Sequence, residues 1–333
     1  MKFHTDSGIS RRQALGAAGC VALLPGLSSC GWLQNLPVAV AAHEWVGYEP
    51  MFLARDRGWL DATQVTMLET RSAVESIQAV RSGKAQAAAL TLDEVLGARA
   101  SGLALSVVLV FNVSLGADML LVRPGITQLA QLKGRRIGYE ASSVSEVMLA
   151  EVLKTAGLTR QDVQLEKIGV DAHLFAWQNR AVDAFITYEP VATRLLAEGM
   201  SRLFDSRQIP DTIIDVLAVK SDALDQAHAN ALKHLIAAHF RALDDLTRNP
   251  QDAAYRMAGH LHLPAQGVLA AFKGLILPTP ASNYRLLSGG TPALLPTARR
   301  VAGTLRRSGI LSNDDALAHL INGSYLPTDG LLK

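Results

Sequence analysis

Cysteine is nearly absent, with only Cys20 and Cys30 in 333 residues. Two thiols cannot build a disulfide-rich scaffold or a four-thiolate zinc site. Aromatics are scarce at 5%, and neither sign of charge dominates, with 32 Lys+Arg against 30 Asp+Glu. A formal charge of +2 excludes a strongly basic nucleic-acid binder. A G-x-S-x-G elbow, an H-E-x-x-H pair and a P-loop are all missing, so the commonest hydrolase, metalloprotease and nucleotide signatures do not apply. What is plentiful is aliphatic. Hydrophobic residues make up 49% of the chain and the mean hydropathy is +0.17, which excludes a disordered polypeptide. At roughly 100–200 residues per domain, the length suggests two domains with sizeable cores.

The N-terminus reads as an export signal. Lys2, Arg11 and Arg12 precede an apolar stretch from Ala14 to Leu27, and small residues stand before Cys30. This is the order of a signal peptide. Ser10-Arg11-Arg12-Gln13-Ala14-Leu15 resembles a twin-arginine motif, with Ala14 where an aromatic is usual. Leu27-Ser28-Ser29-Cys30 resembles a bacterial lipobox, in which Cys30 receives a lipid and becomes the first mature residue. Plain cleaved export and a membrane anchor are the alternatives. The anchor is disfavoured because the run is shorter than the ~20 residues that span a bilayer and is broken by Pro25. Cleavage before Cys30 leaves 29 residues of each sign, so the mature chain is formally neutral and its lone cysteine is the anchor.

The mature chain alternates strand-like and helix-like runs. Strands are expected at 38–42, 65–68, 87–90 and 105–111, and again at 136–140, 163–168 and 183–187. Amphipathic helices are expected at 49–57, 73–81, 93–100, 143–155, 171–179 and 190–197. This βαβα order argues for parallel sheets covered by helices. A gapless offset of 96 superposes the two series, with Glu44 on Glu140, Leu53 on Leu149, Ala88 on Ala184 and Thr91 on Thr187. Strands fall on strands and helix starts on helix starts over about 60 residues. Two extended segments, Ala117–Val122 and Ile213–Val219, are expected to connect the lobes as a hinge. Beyond Ala223 the pattern is mostly helical and should pack back on the first lobe.

Ligands of open α/β sheets sit beyond the carboxyl ends of the strands, where helix N-termini point their free N–H groups. That rule selects four loops. The first is His43-Glu44-Trp45-Val46-Gly47-Tyr48-Glu49-Pro50. Gly47 is expected to allow a tight turn, and Trp45 and Tyr48 to offer flat rings for stacking. Thr91-Leu92-Asp93 is the second and Ala141-Ser142-Ser143-Val144-Ser145 the third. The fourth, Thr187-Tyr188-Glu189-Pro190, repeats the Tyr-Glu-Pro of the first. Asp93, Ser143 and Glu189 can equally serve as helix caps. His260-x-His262 lacks a supporting ligand cluster, so no metal is expected. Nothing calls for a cofactor, and His234 and His239 read as structural.

On these residues the chain resembles the substrate-binding proteins of ABC importers, in the group of nitrate, taurine and aliphatic-sulfonate binders related to thiamine-pyrimidine precursor binders. The resemblance covers about residues 38–260. It rests on Trp45-Val46-Gly47-Tyr48-Glu49-Pro50 with Leu53-Ala54-Arg55, on Gly83-Lys84-Ala85-Gln86-Ala87-Ala88, and on Thr91-Leu92-Asp93-Glu94. Leu129-x-x-Leu132-Lys133-Gly134 and Ala184-Phe185-Ile186-Thr187-Tyr188-Glu189-Pro190 extend it. It implies a type II periplasmic binding protein: two α/β lobes, a two-strand hinge and a ligand enclosed by closure. In this chain that means a signal at 1–29, a linker at 30–37, a first lobe at 38–117 and 220–333, and a second at 118–219 with the hinge strands. Partners would be a small-molecule ligand and the permease and ATPase subunits, with the membrane reached through the N-terminal lipid. The expected ligand residues are Trp45, Gly47, Tyr48, Glu49, Thr91, Asp93, Ser142, Ser143, Tyr188, Glu189 and Asp215. Sulfonate and nitrate binders need positive donors, yet the loops carry Glu44, Glu49, Asp93, Glu140, Glu189 and Asp215 and no Arg or Lys. The expected ligand is therefore a polar organic nitrogen compound, pyrimidine-like, in preference to a bare oxyanion. An enzyme of pyrimidine or menaquinone type on the same fold, or a ligand sensor for a membrane receptor, would share much of this pattern.

Overall fold

The computed structural model describes residues 35–307, 309–311 and 317–327. The export segment and Cys30 lie outside the described residues. Among the described residues, eleven strands run in chain order as β1 Val38–His43, β2 Val65–Thr70, β3 Ala87–Thr91, β4 Leu105–Ser114, β5 Asp118–Val122, β6 Arg136–Tyr139, β7 Gln164–Lys167, β8 Ala184–Tyr188, β9 Ser201–Asp205, β10 Ile214–Lys220 and β11 Leu275–Ile276. They form two sheets, ordered β11-β4-β10-β3-β1-β2 and β7-β6-β8-β5-β9.

The two sheets are one design used twice. In the first, β2, β1 and β3 are parallel, β10 runs antiparallel to β3, and β4 antiparallel to β10. In the second, β7, β6 and β8 are parallel, β5 is antiparallel to β8, and β9 pairs with β5 on its other side. Each sheet's antiparallel fourth strand comes from chain beyond the neighbouring lobe's parallel unit. The segment Ile213–Val219, expected as a crossover, accordingly lies inside the first sheet between β3 and β4. Residues 115–117 and 206–213 carry the chain between the sheets. The cause is visible in the burial. Residues 214–219 of β10 and all of β5 are buried, so these apolar runs do more good as central strands than as an exposed ribbon. β9 and β11 were not expected. β9 exposes Ser201 and Arg202 and carries too little apolar signal to read as a strand.

Helices cover the parallel strands: α1 Glu49–Asp56, α2 Ala73–Arg81, α3 Leu92–Ala100, α4 Ser143–Ala156, α5 His173–Gln178 and α6 Val191–Ala197. Their starts are set by local chemistry. Ser72 caps α2 by accepting from the Glu75 N–H, and Ser142 caps α4 by accepting from the Ser145 N–H. Gly157, at φ 67°, ends α4 in the left-handed region, where a side chain would be strained. The helix expected at 171–179 is split into a 3-10 turn, Val170–Ala172, and the short α5. Farther on, α7 Ala229–Arg248 buries its apolar stripe against α1, and β11 joins β4. Among the described residues, no helix is long and apolar enough to cross a membrane.

Candidate functional site

The carboxyl ends of β1, β3, β6 and β8 point at one another, and the amino ends of the antiparallel β5 and β10 open into the same space. A small cavity of about 20 Å³, room for about one water in this closed form, lies there. Its walls are His43 at the end of β1 and Trp45 after it, Thr91 and Glu94 at the start of α3, and Ile213 and Asp215 at the start of β10. The second sheet contributes Asp118, Glu140, Val144 and Tyr188. Asp215 pairs in register with Thr91, the last residue of β3, and Asp118 with Tyr188, the last of β8. The two aspartates thus occupy equivalent places in the two sheets and face the cavity from opposite sides.

Several expected residues stand elsewhere. Tyr48 does not stack into the cavity: it is fully buried, and its hydroxyl donates to Asp215 Oδ1 at 2.7 Å. Its ring lies beneath the site against Phe111, with centroids 5.3 Å apart. Gly47 is not a left-handed turn residue but part of the 3-10 turn Val46–Tyr48. A Cβ there would come within 1.9 Å of the Asn112 amide and 2.5 Å of Trp45 Nε1. Its smallness makes room for Asn112, a fully buried residue that was not anticipated. With its amide oriented to satisfy both neighbours, Asn112 donates to Asp215 Oδ2 at 2.8 Å and accepts from Trp45 Nε1 at 3.3 Å. Both oxygens of Asp215 are therefore held from behind.

Glu49 turns away from the cavity and meets His260 Nδ1 at 2.5 Å. Glu189 also turns away, accepting from the Thr193 N–H at 3.0 Å in the first turn of α6. Ser142 is a helix cap. Asp93 and Ser143 do not line the cavity but join the two sheets across it: Ser143 Oγ donates to Asp93 Oδ2 at 2.5 Å. Two further contacts span the same seam. Arg194 Nη2 donates to Glu44 Oε1 at 2.8 Å, and the rings of Trp45 and Tyr188 meet edge to face at 5.7 Å. The cleft is closed. Of the expected residues, Trp45, Thr91, Tyr188 and Asp215 line the cavity.

His43, Glu94, Asp118, Glu140, Val144 and Ile213 complete the lining. Glu94 was legible as the glutamate of a Thr-x-x-Glu capping box, three residues after Thr91, and it does accept from the Thr91 N–H at 2.9 Å. Asp118 opens an otherwise apolar strand, a signal in itself, since an acid in a buried run needs a reason.

The electrostatics follow from burial. Loss of water pushes the Glu94 carboxyl up to about 8, with the Asp93 charge adding to the effect. Burial lifts Asp118 to about 7, against a smaller opposing hydrogen bond from Ser114. Asp215 is raised well above the carboxylate range by burial, although the Tyr48 hydroxyl favours its charged form. Glu140 is raised for the same reason. Burial also lowers His43 to about 4, leaving it neutral. No lysine or arginine is among the lining residues. Acids without cations, beside two aromatic rings, can accept hydrogen bonds and positive charge and cannot balance an anion. Among the described residues, no group of three His, Cys, Asp or Glu side chains could hold a metal ion.

Residues 45–253 match the family model described as NMT1/THI5 like. The chain belongs to the NMT1/THI5-like family. A binding protein of Brucella abortus is 26% identical over 140 residues, 41% of this chain and 44% of that protein. The match therefore spans less than half the length of that curated relative. Among solved structures, the alkanesulfonate-binding protein SsuA from Xanthomonas axonopodis bound to MOPS superposes with a TM-score of 0.71 at 17% identity. It covers 84% of this chain and 96% of its own. The periplasmic aliphatic sulphonate binding protein SsuA from Escherichia coli gives 0.70 at 18%, covering 86% and 92%. A ligand-binding component of an ABC-type import system from Staphylococcus aureus, solved with zinc bound, gives 0.72 at 11%, covering 87% and 97%. These likenesses establish the periplasmic-binding-protein fold, two α/β sheets around a central cleft.

Proposed function

We propose that this NMT1/THI5-like protein is the solute-binding component of an ABC importer, capturing a small polar organic nitrogen compound by closing its two lobes. The observation that carries the reading is the cavity between the sheets, closed over by Ser143–Asp93, Arg194–Glu44 and Trp45–Tyr188. Each of these contacts joins a residue of the first sheet's half to one of the second. An open form that lacks them admits ligand, and a closed form that makes them excludes water and strengthens the polar contacts inside. The segments 115–117 and 206–213 would act as the hinge.

A pyrimidine-like ligand suits the site better than a bare oxyanion. Trp45 and Tyr188 offer rings, while Asp215, Asp118 and Glu94 offer acceptors for ring or exocyclic N–H groups. On this reading the chain is exported to the periplasm, held at the membrane by a lipid on Cys30, and presents its closed form to a permease and ATPase. Palmitate incorporation that disappears in Cys30→Ser tests the anchor. Calorimetry with aminopyrimidines, amines, taurine and nitrate tests the ligand, and tight taurine or nitrate binding with none for nitrogen compounds refutes that choice. Deletion of the gene should abolish uptake of the bound solute. Unchanged uptake with a lost transcriptional response would make the protein a sensor.

A further inference from the structure

The acids around the cavity are not arranged alike. Asp215 has both oxygens occupied, by Tyr48 and by Asn112. Glu94 accepts from the Thr91 N–H, and Glu140 from the Tyr188 hydroxyl at 3.3 Å. Asp118 differs. It is 4% exposed, and its Oδ2 has no hydrogen-bond partner although it lines the cavity. His43 Nδ1, 8% exposed at the same wall, is unpartnered too. A buried carboxylate oxygen left without a donor is costly, and a ligand N–H captured as the lobes close would supply the missing one.

We propose that the ligand is an organic cation whose charged N–H or quaternary nitrogen lies between Asp118 of the second sheet and Asp215 of the first, walled by Trp45 and Tyr188. The proposal rests on the receptor reading and narrows its ligand class. Three features support it. The unpartnered Asp118 oxygen asks for a donor, and the lining holds no protein cation to supply one. Two aromatic rings from opposite lobes, Trp45 and Tyr188, line the cavity, and rings of this kind stabilise a cation once the lobes part to admit it. The paired aspartates come from opposite lobes, so one positive charge between them attracts both and couples capture to closure. A sulfonate would find no cation among the lining residues to balance its charge.

The empty site is expected to carry protons. Asp118 is faced by Asp215 from β10, by Asp93 from α3 and by Glu189 beyond β8, and Glu94 of α3 lines the same cavity. Glu140 adds to the charge around Glu94, and no lining group is cationic, since His43 is held neutral by burial. A cation that binds the ionised acids must displace these protons, so affinity rises with pH until the acids are already ionised.

Isosteric pairs test the charge directly: benzamidine against benzamide, benzylamine against benzyl alcohol, and choline against 3,3-dimethylbutanol, with methanesulfonate as the anion. Calorimetry on the full chain should show each bound cation at least tenfold tighter than its neutral partner. Affinity should rise between pH 6 and 8, and two buffers of different ionisation enthalpy should reveal net proton release. Asp118→Asn should weaken cation binding at least tenfold while raising the melting temperature of the unliganded protein. A merely structural aspartate would lower both. Benzamide or methanesulfonate binding as well as benzamidine, with closure seen by small-angle scattering, would overturn the cation and leave the receptor reading standing. Failure of all three cations, or their displacement by zinc or magnesium, would overturn it as well. Uptake in the deletion strain judges the receptor reading separately.

Discussion

Replacing Tyr48 by phenylalanine separates a residue that touches ligand from one that holds a residue which does. The substitution removes one oxygen and leaves the ring, which packs edge to face on Phe111 and His43 at 5.3 and 5.4 Å, so no cavity arises. What is lost is the 2.7 Å hydrogen bond to Asp215 Oδ1. Leaving a buried acceptor unsatisfied costs about 1–3 kcal/mol, toward the upper end when the acceptor is charged. Tyr48 favours the ionised form of Asp215, so its removal raises that carboxyl further. The cost should therefore be about 1 kcal/mol while Asp215 is protonated and should grow with rising pH as it ionises. At about 2–4 °C per kcal/mol for domains of 150–250 residues, a cost of about 1–3 kcal/mol should lower the melting temperature by about 2–12 °C. Urea titrations across pH measure the cost, and calorimetry measures affinity. Affinity should fall in proportion to the disturbance of Asp215, not vanish. Undiminished stability with abolished binding would refute the geometry and put Tyr48 against the ligand.

Arg194→Ala removes a contact whose side chains are 26% and 35% exposed. Stability should change by less than about 1 kcal/mol, yet the unliganded protein should open, seen as a larger radius of gyration in solution scattering. Gly47→Ala drives a methyl into the Asn112 amide and the Trp45 indole, and should cost about 1–3 kcal/mol in thermal melts. His260→Ala leaves Glu49 buried with no opposing charge. Glu49, raised to about 7 by burial, holds a proton in the folded state that the unfolded chain releases near its ordinary value, so stability falls as pH climbs from about 4.5 to 7. His260, raised by Glu49 once burial is outweighed, contributes stability that is full below 6.5 and lost as pH rises through its folded value. The variant should lose about 1–3 kcal/mol near pH 7, and its decline should continue above pH 7. Parallel denaturant curves at pH 5, 7 and 8.5 decide this.

The element order of the lobes was legible because it depends on local pattern. Ala73–Arg81 forms the helix its periodicity implies, and Ala87–Thr91 the buried strand its apolar run implies. The repeat at offset 96 was legible for the same reason, and it reappears as two sheets with matching strand orders. The site was legible only in part. Trp45, Thr91, Tyr188 and Asp215 stand at or near strand ends, where sheet geometry directs side chains into the cavity. Tyr48 was misread because stacking and buried hydrogen bonding use the same residue type. The difference lies in whether Phe111 and Asp215, far away in sequence, cover it.

The sequence by itself determined the class of the protein. Its apolar periodicity, caps and repeated βαβ units depend on contacts within a few residues, and these prescribe two lobes whatever the ligand. The shortage of basic residues in the loops already argued against an oxyanion. Only the tertiary structure decided which acids share one cavity. Asp118 and Asp215 begin strands that each run antiparallel beside a parallel unit, and no local pattern says that those two strand starts face each other. Their meeting depends on strand pairing between distant segments, and so does the burial that raises their proton affinity and makes Asp118's free oxygen a place for a cation.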